Sequence, residues 1–181
     1  MKKITLIVFS LLLFTFGCDN MMNTPTKKAE EFLNKYQRRD SEIIEQLDSV
    51  IRSDVNSFSE KQMEDYKNLM LKQYKDLTYV VKEEMIDGNN ATVTVEIEVY
   101  DFNKALNEAE TYYINNSDQF KDETGNMDSS KYMDYKIEKM NDTKERVKYT
   151  INLTLSKIDK NWSMNNITEV DRQKIHGLYN S

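Results

Sequence analysis

The chain contains little of four residue types that usually supply or shape protein chemistry. Its 181 residues include one cysteine, one histidine, one proline and four glycines. A lone cysteine excludes an internal disulfide, so the folded part must be stabilised by its apolar core. One histidine argues against a histidine-type metal site, which needs two or three. The few scattered glycines exclude a glycine-rich phosphate loop. Carboxylates and tyrosines remain as the groups to be weighed.

The charge balance is acidic, with 25 basic and 31 acidic residues and a net charge of −6. The first 17 residues contain Lys2 and Lys3 but no acid, and the remaining 164 have a net charge of −8. An acidic chain lacks the basic stripe that nucleic acid requires, and it does not adhere electrostatically to anionic lipid. A length of 164 residues suits one domain with a core of its own.

The first eighteen residues have the layout of a secretory signal. Two lysines precede an apolar run at 4–16, which is followed by Gly17 and Cys18. The run spans about 20 Å as a helix, against about 30 Å for the hydrocarbon core of a bilayer. It is therefore too short for a transmembrane anchor, and the basic, apolar and small segments in that order predict export.

The stretch Phe14-Thr15-Phe16-Gly17-Cys18 resembles the lipobox of bacterial lipoproteins, with Thr15 in place of the usual leucine. The resemblance implies cleavage before Cys18, a diacylglycerol on its thiol, and fatty acid such as palmitate in the anchor. It implies a protein held on the cell membrane and facing outside the cytoplasm. It divides the chain into a signal peptide at 1–17, an acylated cysteine and tether at 18–24, and a single domain at 25–181.

Hydrophobic periodicity predicts helices first. Thr24 followed by Pro25 is a helix start, and apolar residues then recur at helical spacing in three segments up to Tyr74. The third segment begins with a capping box of Ser59 and Gln62. Asp40 or Ser41 can cap the second. Three amphipathic helices are therefore expected before the first strand.

After Tyr74 the spacing of apolar residues changes to every second residue, returns to helical spacing, and then alternates again. Strands are predicted at 77–86, 91–100, 147–155 and 162–167, with Trp162 buried, because apolar and polar residues alternate there. Helical spacing returns between Phe102 and Asn141 around a polar loop at 115–128. A terminal helix starts at Thr168 and ends at Gly177.

This order, ααα-ββ-αα-ββ-α, predicts an α+β fold. We expect a curved four-stranded antiparallel sheet covered by the N-terminal helices, with a helical pair at 102–141 inserted between two hairpins and packed on the open end of the sheet. The segments 24–47 and 155–164 resemble the opening helices and closing hairpin of bacterial lipoproteins with a nuclear-transport-factor-2-like, or cystatin-like, domain. That resemblance implies a cone-shaped cavity but no particular activity.

Candidate site residues have modest interpretations. His176 is expected near a helix C-terminus, where a cationic ring would meet the negative end of the dipole. An EF-hand alignment of the acidic loop puts Phe120 and Lys131 at ligand positions that they cannot serve. A solvated loop is the expected state of its oxygen-rich residues, which are Asp118, Asp122, Glu123, Asn126 and Asp128.

Paired carboxylates and tyrosines are the other candidates. Glu96 and Glu98 share one strand face, with Glu83 and Glu84 expected on the neighbouring strand. Their alternation with an apolar row predicts the solvent face rather than acid–base catalysis. Tyrosines could line a ligand cavity, or pack in the core with the hydroxyl reaching out. Those considered are Tyr66, Tyr79, Tyr100, Tyr112, Tyr132 and Tyr149.

The sequence favours a lipid-anchored binding or interaction module with a protein or small-molecule ligand. It indicates no cofactor, metal ligand or catalytic residue, and nucleic acid is excluded as a partner on charge. The alternatives are an enzyme that uses a cavity of the fold and a structural or inhibitory protein of the envelope. An apolar cavity in the fold would favour a small-molecule ligand. A carboxylate with a raised pKa would favour an enzyme, and an exposed apolar patch would favour a protein partner.

The lipobox resemblance makes a direct prediction. Cys18→Ala should abolish attachment of diacylglycerol, because only the cysteine thiol can form the thioether. Metabolic labelling with a radioactive fatty acid should mark the parent protein and leave the variant unlabelled. Equal labelling of both proteins would contradict the assignment.

Overall fold

The structure is a computed structural model that describes residues 23–53 and 58–180. Its six α-helices and four strands follow one another in the predicted order. The signal peptide and Cys18 lie outside these residues. The helices are α1 Pro25–Arg38, α2 Ser41–Ser53, α3 Glu60–Asp76, α4 Phe102–Asn115, α5 Ser129–Asp142 and α6 Glu169–His176. The strands are β1 Thr78–Asp87, β2 Asn90–Tyr100, β3 Arg146–Ile158 and β4 Asn161–Met164.

The four strands form one antiparallel sheet in the order β1-β2-β3-β4. Strand β2 pairs along its whole length with β3, from Asn90 opposite Ser156 to Tyr100 opposite Arg146. The register of β1 shifts at a bulge between Val81 and Glu83. The α+β fold, with its helical pair between two hairpins, is confirmed.

The core lies between the sheet and the helices α1, α3 and α6. The alternating row of β2 provides its floor, and the predicted face is confirmed because those side chains are at most 3% exposed. Trp162 is 7% exposed, as expected. Leu33 of α1, Met70 of α3 and Ile175 of α6 are fully buried in the same cluster. The face that the family resemblance expects to line a cavity is thus packed with side chains.

Local helix signals are confirmed by their hydrogen bonds. Thr24 caps α1, and Thr168 caps α6 by accepting from the Asp171 N–H at 3.0 Å. In the capping box of α3 the Ser59 hydroxyl accepts from the Gln62 N–H at 3.2 Å, and the Gln62 side chain accepts from the Ser59 N–H at 2.8 Å. These contacts involve residues only three positions apart, which is why the sequence predicts them.

Some details differ from expectation. The Asp40 carboxylate binds the Arg38 guanidinium at 2.9 Å, while the Asp40 carbonyl accepts from the first turn of α2. Helical spacing places Val50 on the apolar face of α2, but it is 52% exposed, since α2 packs on α3 through Ile43, Leu47 and Ile51. Strand β4 ends at Met164 rather than at 167, because the chain then turns toward the cap of α6.

The antiparallel order separates the molecule into two ends. The turns of both hairpins lie at one end, where the Lys157 N–H donates to the Asn89 carbonyl at 2.7 Å. We call this the turn end. The last residue of β2 and the first of β3 lie at the other end, and α4 and α5 connect them there. Phe102 and Met140 join the main core, but the pair packs chiefly on α3 through α5 rather than on the open end of the sheet, where it was expected.

A buried amide fixes the junction between β2 and α4. The Gln73 side chain is 0% exposed and pairs with both backbone groups of Tyr100, at 2.9 and 3.0 Å. It also donates to the His176 carbonyl at 3.0 Å. Gly177 follows with φ of 71°, and a Cβ there would lie 2.1 Å from the Tyr100 oxygen. One side chain thus joins α3, β2 and α6.

Gln73→Leu should lower the free energy of unfolding by about 1–3 kcal/mol for each buried backbone group that stays unpaired. Leucine has a similar size but no hydrogen-bonding atoms. Gln173→Leu, on the exposed side of α6, is the matched control and should change the value by at most about 0.5 kcal/mol. Urea denaturation measures both. Equal losses in the two variants would contradict the role of Gln73.

Candidate functional site

His176 does not act as the cationic helix cap that its position predicts. Its Nε2 lies 2.9 Å from the Tyr74 hydroxyl, and the two rings are 5.6 Å apart. Burial, reinforced by the nearby Arg172 charge, lowers the pKa of the imidazole to about 4. The ring is therefore neutral at physiological pH, and the expectation was wrong because tertiary packing turns it inward.

Cys18 lies outside the described residues, so its lipidation stays a prediction. Within the described residues every helix is too short or too polar to cross a membrane.

The acidic loop organises itself through its own carboxylates. Asp122 Oδ1 accepts from the N–H groups of Thr124 and Asn126 at 2.8 and 3.0 Å. The Thr124 hydroxyl also donates to this oxygen, at 2.7 Å. That bond, followed by the bonds from the backbone, lowers the pKa of Asp122. Asp128 caps α5 by accepting from the Ser130 N–H at 2.9 Å. The loop expected to be merely solvated therefore has a defined backbone, and these acids support it.

The glutamates of β2 are paired with cations on the face away from the core. Glu96 Oε1 lies 3.4 Å from the amines of both Lys82 and Lys148. Hydrogen bonds to Lys82 and then to Lys148 lower the Glu96 pKa. Glu98 accepts from Arg146 at 3.0 Å. The expected solvent face is confirmed, and a carboxylate held ionised is unsuited to general acid chemistry.

The glutamates of β1 do not join that pair. Glu83 lies opposite Thr94 and Glu84 opposite Val93 in the sheet. Glu84 Oε2 instead accepts from the N–H and hydroxyl of Thr26, at 2.8 and 2.7 Å. The structure therefore attaches this carboxylate to the first turn of α1, where a negative charge is favourable.

The candidate tyrosines of α3 and of the sheet pack at the edge of the core, and those of the sheet bond through their hydroxyls. Tyr66 packs against Phe58 with the ring centroids 5.8 Å apart. The other hydroxyls donate across elements, Tyr79 to Asn34, Tyr100 to Asp76 and Tyr149 to the carbonyl of Tyr179. Of the two interpretations, packing in the core with the hydroxyl reaching out therefore describes these tyrosines, rather than the lining of a ligand cavity.

An aromatic cluster lies in the helical pair, where the sequence shows only a polar loop. Phe120, in a short 3-10 helix at Ser117–Phe120, is 5% exposed and is surrounded by four tyrosines of α4 and α5. Its ring centroid lies 5.2 to 6.4 Å from those of Tyr112, Tyr113, Tyr132 and Tyr135. Such offset and edge contacts are favourable beyond the area they bury. The sequence singled out Tyr112 and Tyr132 as candidates for lining a cavity, but it did not indicate that both pack against Phe120.

Exposed apolar side chains surround this cluster. Ile114 is 67% exposed, Met127 45% and Tyr112 36%. We call these three residues, together with Tyr113, Phe120, Tyr132 and Tyr135, the aromatic tip. It combines rigid aromatic packing beneath with apolar groups in solvent, the combination found where proteins contact one another.

Several grooves run beside the helices. One of about 680 Å³ separates α3 from α5 and has Leu69 and Ile137 at its base between charged walls. Another, about 440 Å³, lies between α1 and β4 beside Phe32 and Trp162. A third, about 470 Å³, runs along α4 beside Tyr112, and a smaller, mainly apolar one of about 220 Å³ lies between Tyr66 and Met140. All are open clefts rather than enclosed cavities.

Comparisons with known proteins add little chemistry. No protein-family profile matches the chain, and no curated protein matches it in sequence. Among solved structures the chain is similar to a Bacillus subtilis protein, ycdA, which bears the provisional designation of lipoprotein. The identity is 12%, the TM-score is 0.46, and the match covers 92% of this chain and 51% of that one. The chain thus spans about half the length of the Bacillus protein.

The neutral His176 makes stability depend on pH. In the unfolded chain the ring takes up a proton near its ordinary pKa of 6.5, but in the folded protein only near pH 4. Unfolding therefore binds a proton between these values, so stability is fully present above pH 6.5 and falls as the pH drops. We expect a loss of about 2 kcal/mol between pH 7 and pH 5, measured by urea denaturation. His176→Gln should flatten this dependence, and an unchanged slope in the variant would contradict the assignment.

Proposed function

We propose that the protein is a lipid-anchored module on the outer side of the cytoplasmic membrane that binds another protein through its aromatic tip. In this proposal residues 1–17 are removed, Cys18 is acylated, and the domain begins beyond a short tether. The nuclear-transport-factor-2-like or cystatin-like assignment stays a prediction, which the order of helices and strands supports.

The position of the aromatic tip carries the proposal. The helical pair emerges from the end of the sheet opposite the two hairpin turns, whereas α1, the first element after the anchor, begins at the turn end. A domain anchored through its N-terminus would thus present the tip to the surroundings.

The surface chemistry favours a protein over a small molecule. Ile114 and Met127 are exposed and line none of the grooves described above, all of which are open clefts. Small ligands are usually enclosed by concave, mainly apolar pockets. Tyrosine and methionine are enriched where proteins bind proteins, because they offer large contact area with few rotatable bonds or with an adaptable shape.

The arrangement of ionisable side chains does not favour the enzyme alternative. Among residues 23–53 and 58–180, the carboxyl groups whose pKa departs from its usual value all have a lowered pKa, which keeps them ionised; they are Asp40, Glu96, Asp118 and Asp122. His176 is turned into the core against Tyr74.

Site-specific crosslinking in living cells tests the proposal. A photoreactive amino acid replaces Ile114 in the full chain, and the matched control places it at Val50, which is similarly exposed at 52% on α2. We expect one discrete adduct from position 114 and none from position 50. Met127→Lys, added to the position-114 protein, should reduce the adduct because it puts a charge on the contact surface.

Mass spectrometry identifies the crosslinked partner. The same adduct from positions 50 and 114, or no adduct from position 114 at native expression, would contradict recognition through the aromatic tip.

A further inference from the structure

The chain enters the fold at the turn end through Asn23. The Asn23 amide donates to the Lys160 carbonyl at 3.1 Å and to the Asn161 side chain at 3.0 Å. Its oxygen accepts from the Trp162 N–H at 3.0 Å. Asn23, which the sequence assigns to the tether, is therefore attached to the tip of the β3–β4 hairpin by three hydrogen bonds.

A lipid on Cys18 would lie close to this hairpin. Five residue steps separate Cys18 from Asn23, and a fully extended chain covers at most about 3.6 Å per residue. The two Cα atoms can therefore be no more than about 18 Å apart. Since Asn23 is bonded to the hairpin, the turn end must stay within that distance of the bilayer surface.

The turn end exposes apolar side chains in the same place. Ile158, the residue before the β3–β4 turn, is 61% exposed. Ile86 is 53% and Met85 60% exposed beside the β1–β2 turn. The bond from Lys157 to Asn89 joins the two turns. Ile158 thus projects from a tight two-residue turn, Asp159–Lys160, in which both residues have positive φ.

We infer that the turn end rests on the phospholipid surface, with Ile158, Ile86 and Met85 entering the interfacial region. This inference depends on the lipid anchor of the proposed function. The turns contain charges of both signs, Lys157 and Lys160 against Asp87 and Asp159. The contact is therefore an apolar one that works on zwitterionic lipid, in keeping with the net acidic charge of the chain.

This contact would set the orientation of the whole domain. Strand β2 has 11 residues, which span about 36 Å at ~3.3 Å per residue. With the turn end on the lipid and the strands upright, the helical pair would leave the sheet at about that distance from the bilayer surface. The fatty acids alone allow the domain to swivel, whereas a second contact restricts it.

Fluorescence quenching by lipid tests the inference on the mature, acylated protein in phosphatidylcholine vesicles. Because acylation blocks Cys18, the only cysteine, a cysteine introduced by Ile158→Cys can be labelled alone with an environment-sensitive dye. Ile114→Cys provides the matched control, with a parent side chain of similar exposure, 67% against 61%. We expect blue-shifted emission from position 158 that is quenched by brominated lipid, and water-like, unquenched emission from position 114.

Each other result has a definite meaning. Unquenched emission at both positions, on protein that floats with the vesicles, would overturn the contact while leaving the anchor intact. A blue shift at 158 without lipid quenching would mean that a second copy of the chain covers the hairpin, and would also overturn the lipid contact. Failure of the acylated protein to float would overturn the anchor and the orientation together. High salt should leave the quenching at 158 unchanged, since the contact is apolar.

Discussion

The pairing of the Gln73 amide with the end of strand β2 is the constraint on which the two-ended structure depends. This buried side chain satisfies the N–H and C=O of Tyr100 and the C=O of His176 at once. Those groups lie where the central strand ends and the helical pair begins. A buried backbone group without a partner is costly. The amide therefore fixes where the sheet stops and the direction in which α4 leaves it.

The rest of the arrangement follows from that junction. The N–H of Asn103, in the first turn of α4, donates to the Gly177 carbonyl at 2.8 Å. The close approach of Gly177 to Tyr100 requires a residue without Cβ. Alpha5 then returns along α3, where the Gln62 amide reaches Asp134 at 2.8 Å. Two buried glutamines of one helix thus position the helical pair, and the aromatic tip is presented on a rigid base.

Of the nine large apolar side chains that are exposed among the described residues, six lie at the two ends of the molecule, and Val50, Val80 and Val170 lie elsewhere. Ile114 and Met127 are exposed at one end, and Ile86 and Ile158 at the other. Between them the cation-paired glutamates of β2 cover the outer face. The proposed module, anchored at one end and binding at the other, would need this division of polarity, because its flanks must remain solvated while both ends make contacts.

The fold was predictable wherever its signal is local. The capping box of Ser59 and Gln62 involves residues three positions apart. The alternation of apolar and polar residues between Ala91 and Val99 indicates directly which face of β2 is buried. His176 and Phe120 were misjudged for the opposite reason. Their neighbours, Tyr74 for the first and tyrosines from two separate helices for the second, come together only when the elements pack.

The sequence by itself determined the order of elements and the buried face of β2, and its first eighteen residues predict an export signal with a lipobox. Periodicity, caps and targeting segments depend on residues a few positions apart, so they exist before the chain folds. Only the tertiary structure decided what meets at each end. Gln73 finds its partners 27 and 103 residues away, and Asn23 reaches the hairpin across 137 residues. Contacts at such separations are set by the packing of whole elements, which no local pattern records.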